Sequence, residues 1–223
     1  MCSSDLTGDE VLRHDDPHES PNEFQLRDSN APGLAALLGS RAWLDVLEPE
    51  HVGDDKQATI DAIGSMLGRC DALMLMGGVS MGDRDFVPGA LEANGVETVF
   101  HKLPQRPGKP VLGGIAPGGR PVFGLPGNPV SVLATARALA LPALAARAGI
   151  ERLPDPPMVR VVNADDKTLG IWWRRLVRVV GVGEVELVET RGSGDVPSSA
   201  RSDGFVELPP GSSGEGAWAY YEW

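Results

Sequence analysis

Ile60, Ile63 and Leu67 fall on one helical face directly after the acidic pair Asp54-Asp55, which predicts a capped helix over about residues 56–69. Residues 72–76 form a short apolar run that ends in Gly77-Gly78, the pattern of a buried strand opening into a glycine turn. Around these two elements, residues 34–38 read as a short helix closed by Gly39, and the weak alternation at 43–48 fits a strand. Residues 86–94 read as a helix with Gly95 beyond its end, 96–103 as a strand, 106–108 as a turn and 121–125 as another strand. Asn128 then caps a long helix with Pro129 at its first position, running to about residue 148 with a kink expected at Pro142. Strand and helix thus alternate over residues 30–149, the signature of an α/β sheet with crossover helices. Beyond LPDPP (153–157) the pattern changes to short strand-like runs at 159–163, 176–180, 185–189, 205–208 and 217–221, separated by glycine turns. These predict a small all-β barrel or sandwich. Residues 1–30 are polar and read as loop.

Composition narrows the function classes. The chain has 223 residues, 42% of them hydrophobic, enough for one large domain or two small ones. Its charge, 20 − 31 = −11, argues against a general nucleic-acid or acidic-membrane surface, although local cations can still hold an anionic substrate. The longest apolar segment, 134–148, is interrupted by Arg137, Pro142 and Arg147, so no membrane span is expected. The opening MCSSDL is too short and polar for a secretory signal, and Cys2 and Cys70 make no disulfide framework, which points to a reducing cytoplasm.

Against that acidic background, three stretches stand out. Residues 77–85 (GGVSMGDRD) lie at the C-terminal end of a predicted strand, where open α/β sheets bind ligands. Asp83 and Asp85 there are suited to a hard cation, or are simply solvated turn residues. Residues 123–131 (FGLPGNPVS) make a strand, a stiff turn and a helix start, which is either an anion site or a plain cap; Ser131 can add a hydroxyl donor. Arg106-Pro107-Gly108-Lys109-Pro110 holds two cations in a stiff turn, a phosphate or oxyanion contact or a solvated basic loop. Acidic residues at 7–10 (TGDE) and 54–55 cap helices or join a metal site. In the β region, Arg174, Arg175, Arg178, the turn at 192–195 and Ser198-Ser199 read as surface features, and Trp172, Trp173, Trp218 and Trp223 as packing residues. The four histidines show no zinc spacing, and His14 and His18 read as solvated.

Taken together, TGDE (7–10), DSN (28–30), DD (54–55), GGVSMGDRDFV (77–87), PGKP (107–110) and FGLPGNPVS (123–131), with a weaker stretch at 192–209, resemble the C-terminal half of the molybdopterin molybdenumtransferases, the MoeA and gephyrin-E family. GGVSxGDxD followed by LPGNPVS, in that order and spacing, is specific. Adenylyltransferase relatives carry GGTG and a Ser-Pro at these places. The resemblance implies a three-layer α/β/α, MogA-like molybdopterin-binding domain over 7–152 and a barrel-like β domain over 157–223. It implies Glu10, Asp54 and Asp85 around Mg²⁺, with Lys109 as the fourth catalytic group. It implies Gly77, Gly78, Ser80 and Asp83 along the pterin pocket. Arg106, Pro126, Gly127, Asn128, Pro129 and Ser131 would shape the molybdate and phosphate region, joined by Arg178 and Ser198 from the β domain. The implied reaction is Mg²⁺-dependent insertion of molybdate into adenylyl-molybdopterin with release of AMP. The implied partners are molybdopterin, molybdate, a second copy of the chain and a molybdopterin adenylyltransferase, in the cytoplasm, with no nucleic acid and no membrane.

Three departures matter. The family often has lysine where this chain has Arg106, and arginine changes the contact geometry. The family's two N-terminal domains are not in this chain, and the strand ahead of TGDE is expected to be lacking too, leaving a sheet edge unpaired. In its place, MCSSDL resembles translated sequencing-adapter read-through, so residues 1–6 are expected to be a non-native leader on a truncated reading frame. Two other functions stay open at this point: a non-catalytic molybdopterin-binding module or scaffold, and a molybdopterin adenylyltransferase.

Overall fold

The computed structural model describes residues 11–15, 20–79 and 85–223 in full, and the backbone alone of residues 2–5. In chain order the first part contains β1 (Cys2–Asp5), β2 (Val11–Leu12), β3 (Leu26–Arg27), α1 (Asn30–Gly39), β4 (Leu47–His51), α2 (Lys56–Leu67) and β5 (Leu73–Met76). It continues through α3 (Val87–Ala93), β6 (Glu97–His101), β7 (Gln105–Arg106), β8 (Leu112–Ala116), β9 (Arg120–Leu125), α4 (Pro129–Thr135) and, after a π-helical turn, α5 (Leu141–Arg147). Six strands form one sheet in the order β4-β1-β5-β9-β8-β6. β4, β1, β5 and β9 are parallel, while β8 runs against both its neighbours.

The sheet is covered on both faces, which is why β5 is apolar throughout. Leu73 and Leu75 point into a core with Ile63, Met66, Val87 and Leu91 of α2 and α3. Met74 and Met76 point the other way, toward Leu34 and Leu38 of α1 and Val132 and Ala136 of the long helix. Asp55 caps α2 by accepting a hydrogen bond from the Ala58 N–H, as its position ahead of the apolar repeat predicts.

Several expectations are corrected. The strand read at 43–48 lies at Leu47–His51. Trp43, Leu44 and Val46 instead pack on the core from the preceding loop, so their hydrophobicity marks burial and not a ladder. β8 is invisible in the pattern because Gly113 and Gly114 dilute it. A Cβ at Gly113 would sit 2.3 Å from the Phe100 ring, so the close approach of β6 demands glycine. Residues 1–30 are not all loop: β2 and β3 form a short parallel ladder. The strand ahead of Thr7 is not lacking either, since Cys2–Asp5 pairs with both β4 and β5 inside the sheet.

The long helix also departs from expectation. Pro129–Arg147 is continuous over 19 residues and is long and apolar enough to cross a membrane. Its apolar face is used in the core, where Ala134, Ala136, Ala140 and Leu141 are buried. The disturbance ahead of Pro142 is a π turn, Ala136–Ala140, in which the Leu141 N–H reaches the Ala136 carbonyl five residues back.

The second part contains β10 (Met158–Val161), β11 (Trp172–Gly181), β12 (Glu184–Leu187), α6 (Val196–Ala200), β13 (Gly204–Leu208) and β14 (Ala217–Glu222). Five strands close in the ring β12-β10-β14-β13-β11, because β11 also pairs with β12. Valines 159, 161, 177, 185 and 206 with Leu208 fill it. The barrel is stitched to the α/β layer in two ways. β7 adds in parallel to β11. Val130 and Ala134 of α4 pack with Leu176 and Phe205 of the barrel, and burial of a side chain such as Phe205 stabilises by about 1.5–3 kcal/mol.

Candidate functional site

The parallel strands β4, β1, β5 and β9 all end at one edge of the sheet, the edge at which open α/β sheets bind ligands. Asp54 follows β4, Gly77 and Gly78 follow β5, and Pro126, Gly127 and Asn128 follow β9. Gly77 has φ of +82° and Gly78 of +62°, a left-handed pair that turns the chain sharply. The turn is locked on both sides: the Gly77 N–H donates to the Leu125 carbonyl and the Val87 N–H to that of Gly78. A Cβ on Gly127 would lie 3.8 Å from the Gly77 Cα, so the two motif turns touch. Asn30, from the DSN stretch, donates its side-chain amide to the Gly127 carbonyl at 2.7 Å, while its own Oδ1 is buried without a partner.

Beside this edge a cleft of about 850 Å³ separates the α/β layer from the barrel. One wall is backbone. The turn 107–110 presents Lys109, and the turn 126–131 presents Pro126, Asn128 and Ser131. Gly108 has φ of +89° and packs so closely that a Cβ would meet Thr135 Cγ2 at 2.2 Å. The buried Gln105 holds this turn by donating Nε2 to the Gly108 carbonyl at 2.9 Å. Asn128 makes no side-chain cap of α4. The α4 start is not an open anion cradle, because the Val130 N–H donates to the Ser193 carbonyl of the barrel at 3.0 Å.

The other wall is side chain. Arg174, buried in strand β11, donates Nε to Glu207 at 2.8 Å and Nη1 to Gln105 at 2.7 Å, tying barrel to turn. Burial lowers its pKa, and Glu207 opposes that shift. One residue on, the Arg175 guanidinium lies 4.4 Å over the Trp173 ring, and Arg106 reaches the same ring at 5.9 Å. Arg175 also holds Asp165 with both Nη atoms, at 2.5 and 2.8 Å. That bidentate contact holds the Asp165 carboxyl below its usual range. Five cationic side chains, Arg106, Lys109, Lys167, Arg174 and Arg175, therefore line a cleft with two carboxylates, Asp165 and Glu189, in a chain of net charge −11.

Of the residues singled out in the sequence, Arg106, Lys109, Pro126, Asn128 and Ser131 gather at this cleft. Gly77, Gly78 and Gly127 meet at the adjoining strand edge, and Pro129 starts α4 beside them. Asp54 and Asp85 stand at the ends of their strand–helix connections, away from the cleft lining. Glu10, Ser80 and Asp83 lie outside the described residues. Arg178 and Ser198 are not brought to the cleft. Arg178 is exposed and pairs with Glu186 at 2.5 Å, and the Ser198 hydroxyl is buried, donating to the Asp195 carbonyl at 2.7 Å. The barrel groups that do reach it include Trp173, Arg174, Arg175, Thr190 and Ser193. Alternation does not separate the β11 groups from Arg178, since Arg174 and Leu176 share its face; what places residues 173–176 at the cleft is the start of β11, where β7 pairs with it. Among the described residues, no group of three His, Cys, Asp or Glu side chains is placed to hold a metal.

The family model of a "probable molybdopterin binding domain" matches residues 6–146. The molybdopterin molybdenumtransferase of Synechococcus elongatus is 35% identical over 208 residues, covering 92% of this chain and 50% of the relative. That of Synechocystis sp. is 31% identical over 209 residues, covering 91% and 50%. Among solved structures, the molybdopterin biosynthesis moea protein from Pyrococcus horikosii superposes with a TM-score of 0.79 at 25% identity, over 99% of this chain and 54% of that one. The chain thus spans about half the length of the curated relatives it matches.

Proposed function

From the premise that this chain belongs to the molybdopterin-binding domain family, we propose that it carries the oxyanion-handling part of molybdenum insertion into adenylyl-molybdopterin, with release of AMP. The observation that carries this reading is the cationic cleft, in which Arg106, Lys109 and Arg175 converge beside the 126–131 turn. Molybdate is a tetrahedral dianion, and fixed guanidinium and ammonium groups in a partly dehydrated cleft hold it without reorganising. The pterin belongs at the adjoining strand edge, against the Gly77-Gly78 and Pro126-Gly127 turns, where missing side chains let a flat ring approach the backbone. That division brings the oxyanion and the pterin dithiolene side by side, the proximity that insertion needs.

Among the described residues no three carboxylates gather as a closed metal site, so Mg²⁺ enters this reading only as an ion shared with the substrate phosphate. Mg²⁺ characteristically uses one or two carboxylates together with substrate phosphates and water, so Asp54 and Asp85, which follow β4 and precede α3 respectively, would be its protein ligands, with Glu10 as a third candidate. Bound there, it would neutralise charge on the adenylyl phosphate. The reaction is proposed for the cytoplasm, with a second copy of the chain and a molybdopterin adenylyltransferase as partners.

The test is formation of molybdenum cofactor from adenylyl-molybdopterin, molybdate and Mg²⁺, comparing the chain with its Asp85→Ala and Lys109→Ala variants. The reading expects AMP and cofactor from the parent chain and a drop of about 10²-fold or more in either variant. Equal turnover in all three would overturn it. Pterin binding without turnover in the parent would instead identify a binding module.

A further inference from the structure

Arg175 is held by two restraints of opposite consequence. Arg175 Cζ lies 4.4 Å over the Trp173 ring, a cation–π contact that holds the guanidinium without using its N–H donors. Asp165 takes those donors, engaging Nη1 at 2.5 Å and Nη2 at 2.8 Å. A carboxylate in bidentate contact with a guanidinium fills the same fork that a tetrahedral oxyanion would use. The contact is well shielded on the arginine side, whose side chain is 12% exposed against 30% for Asp165.

Asp165 lies between β10 and β11, and its backbone is anchored: the Gly214 N–H donates to the Asp165 carbonyl at 3.3 Å. Two residues before it, Asn163 is tied to Leu187 by a pair of hydrogen bonds, at 2.6 and 3.2 Å. Release of Arg175 is therefore a rotation of the Asp165 side chain and needs no movement of the loop. The carboxylate already has a second cation, since Lys167 Nζ lies 3.7 Å from Asp165 Oδ2 and the Lys167 backbone N–H also bonds it, so it keeps partners when it turns from Arg175.

We propose that Asp165 is a specificity-determining residue of the cleft: an internal carboxylate that engages the Arg175 fork and that a tetrahedral oxyanion must displace onto Lys167 alone. It sets how strongly an anion must bind before it is admitted, because only the fraction of molecules with Arg175 released is competent. This rests on the reading of the cleft as an oxyanion site. Trp173 keeps Arg175 in place when Asp165 leaves, so removal of the carboxylate frees the fork without losing it.

Equilibrium dialysis against molybdate alone, at fixed ionic strength, separates the two ideas. Asp165→Asn and Asp165→Ser are expected to tighten molybdate binding about fivefold, the weight of a partly exposed ion pair. Asp165→Glu, which keeps a competing carboxylate, is expected to stay near the parent. Binding that is unchanged or weaker in both neutral variants overturns the competitor role, and a uniform loss would make Asp165 a positioning residue for Arg175. The parent reading has its own arm. If Lys109→Ala and Arg106→Ala leave molybdate binding unaltered, the cleft is not the oxyanion site. If neither parent nor neutral variants bind molybdate, both ideas fall.

Discussion

The two walls of the cleft are built by different physics. The α/β wall is made of backbone, with turns 107–110 and 126–131 pinned by prolines, glycine and the buried Gln105. The barrel wall is made of long side chains, stacked on one tryptophan and held by carboxylates. A backbone wall needs particular residue types at particular positions, so it leaves a motif. A side-chain wall needs only that a strand present the right face, and many sequences do that. The backbone wall should also fail abruptly when altered, whereas the side-chain wall should fail in graded steps.

The largest effect is expected from Gly108→Ala. The added Cβ meets Thr135 Cγ2 at 2.2 Å at a φ of +89°. About 3 kcal/mol of stability should be lost, seen as a melting temperature lower by roughly 6–12 °C. Adding Thr135→Ser should recover the steric part and leave the conformational part. Full tolerance of Gly108→Ala would show that the turn is not held as described.

Next comes Arg174→Met, which strips Glu207 and Gln105 of a buried donor. A loss of about 2–3 kcal/mol is expected in urea unfolding. The double variant with Glu207→Leu should be more stable than Arg174→Met alone, since it leaves no unpaired carboxylate. If the double is worse, the pair contributes net stability rather than connection between the units.

Arg175→Lys should cost about 1 kcal/mol, because an ammonium keeps the charge but loses the fork to Asp165 and the guanidinium contact over the Trp173 ring. The same urea series measures it, and no change would mean that the stack contributes nothing. The smallest effect is pH-dependent. The contact with Arg175 depresses the Asp165 pKa below 3.8 in the folded chain. Its stabilisation is then fully present above the unfolded value and is lost as pH falls through the lower folded value. Melting between about pH 5 and pH 2, the range that brackets an ordinary aspartate, should show a shallower acid loss in Asp165→Asn. An identical slope would dismiss the pair as a stabilising contact.

Legibility followed the same division. The β5 strand, α2 with its Asp55 cap, and the long helix opened by Pro129 are readable because periodicity, capping and the proline N1 preference are local, although Asn128 makes no side-chain cap. Strand β8 is not, because close packing leaves room only for glycine there, Gly113 against Phe100 and Gly114 against Val96 and the Glu97 carbonyl. The segment 43–48 misled because Trp43 and Val46 are buried without being in a strand. Among site residues, Arg106, Lys109, Pro126, Asn128 and Ser131 stood in motifs and do line the cleft. Arg178 and Ser198, implied by the weaker resemblance in the barrel, do not line it: one pairs outward and the other is buried in a local turn.

What the sequence by itself determined is the set of local structures: which stretches alternate, where helices begin, and where glycine or proline must stand. Those follow from backbone sterics and from burial repeated at a fixed period, both of which act within a few residues. Only the tertiary structure decided that β7 would leave the α/β layer to pair with β11. Only it decided that the Ser193 carbonyl would take the first N–H of α4, and that Arg175 rather than Arg178 would face the cleft. Each of these joins residues some 60 or more positions apart in the chain or depends on which end of a strand meets the other layer, and neither is set until the two layers have packed.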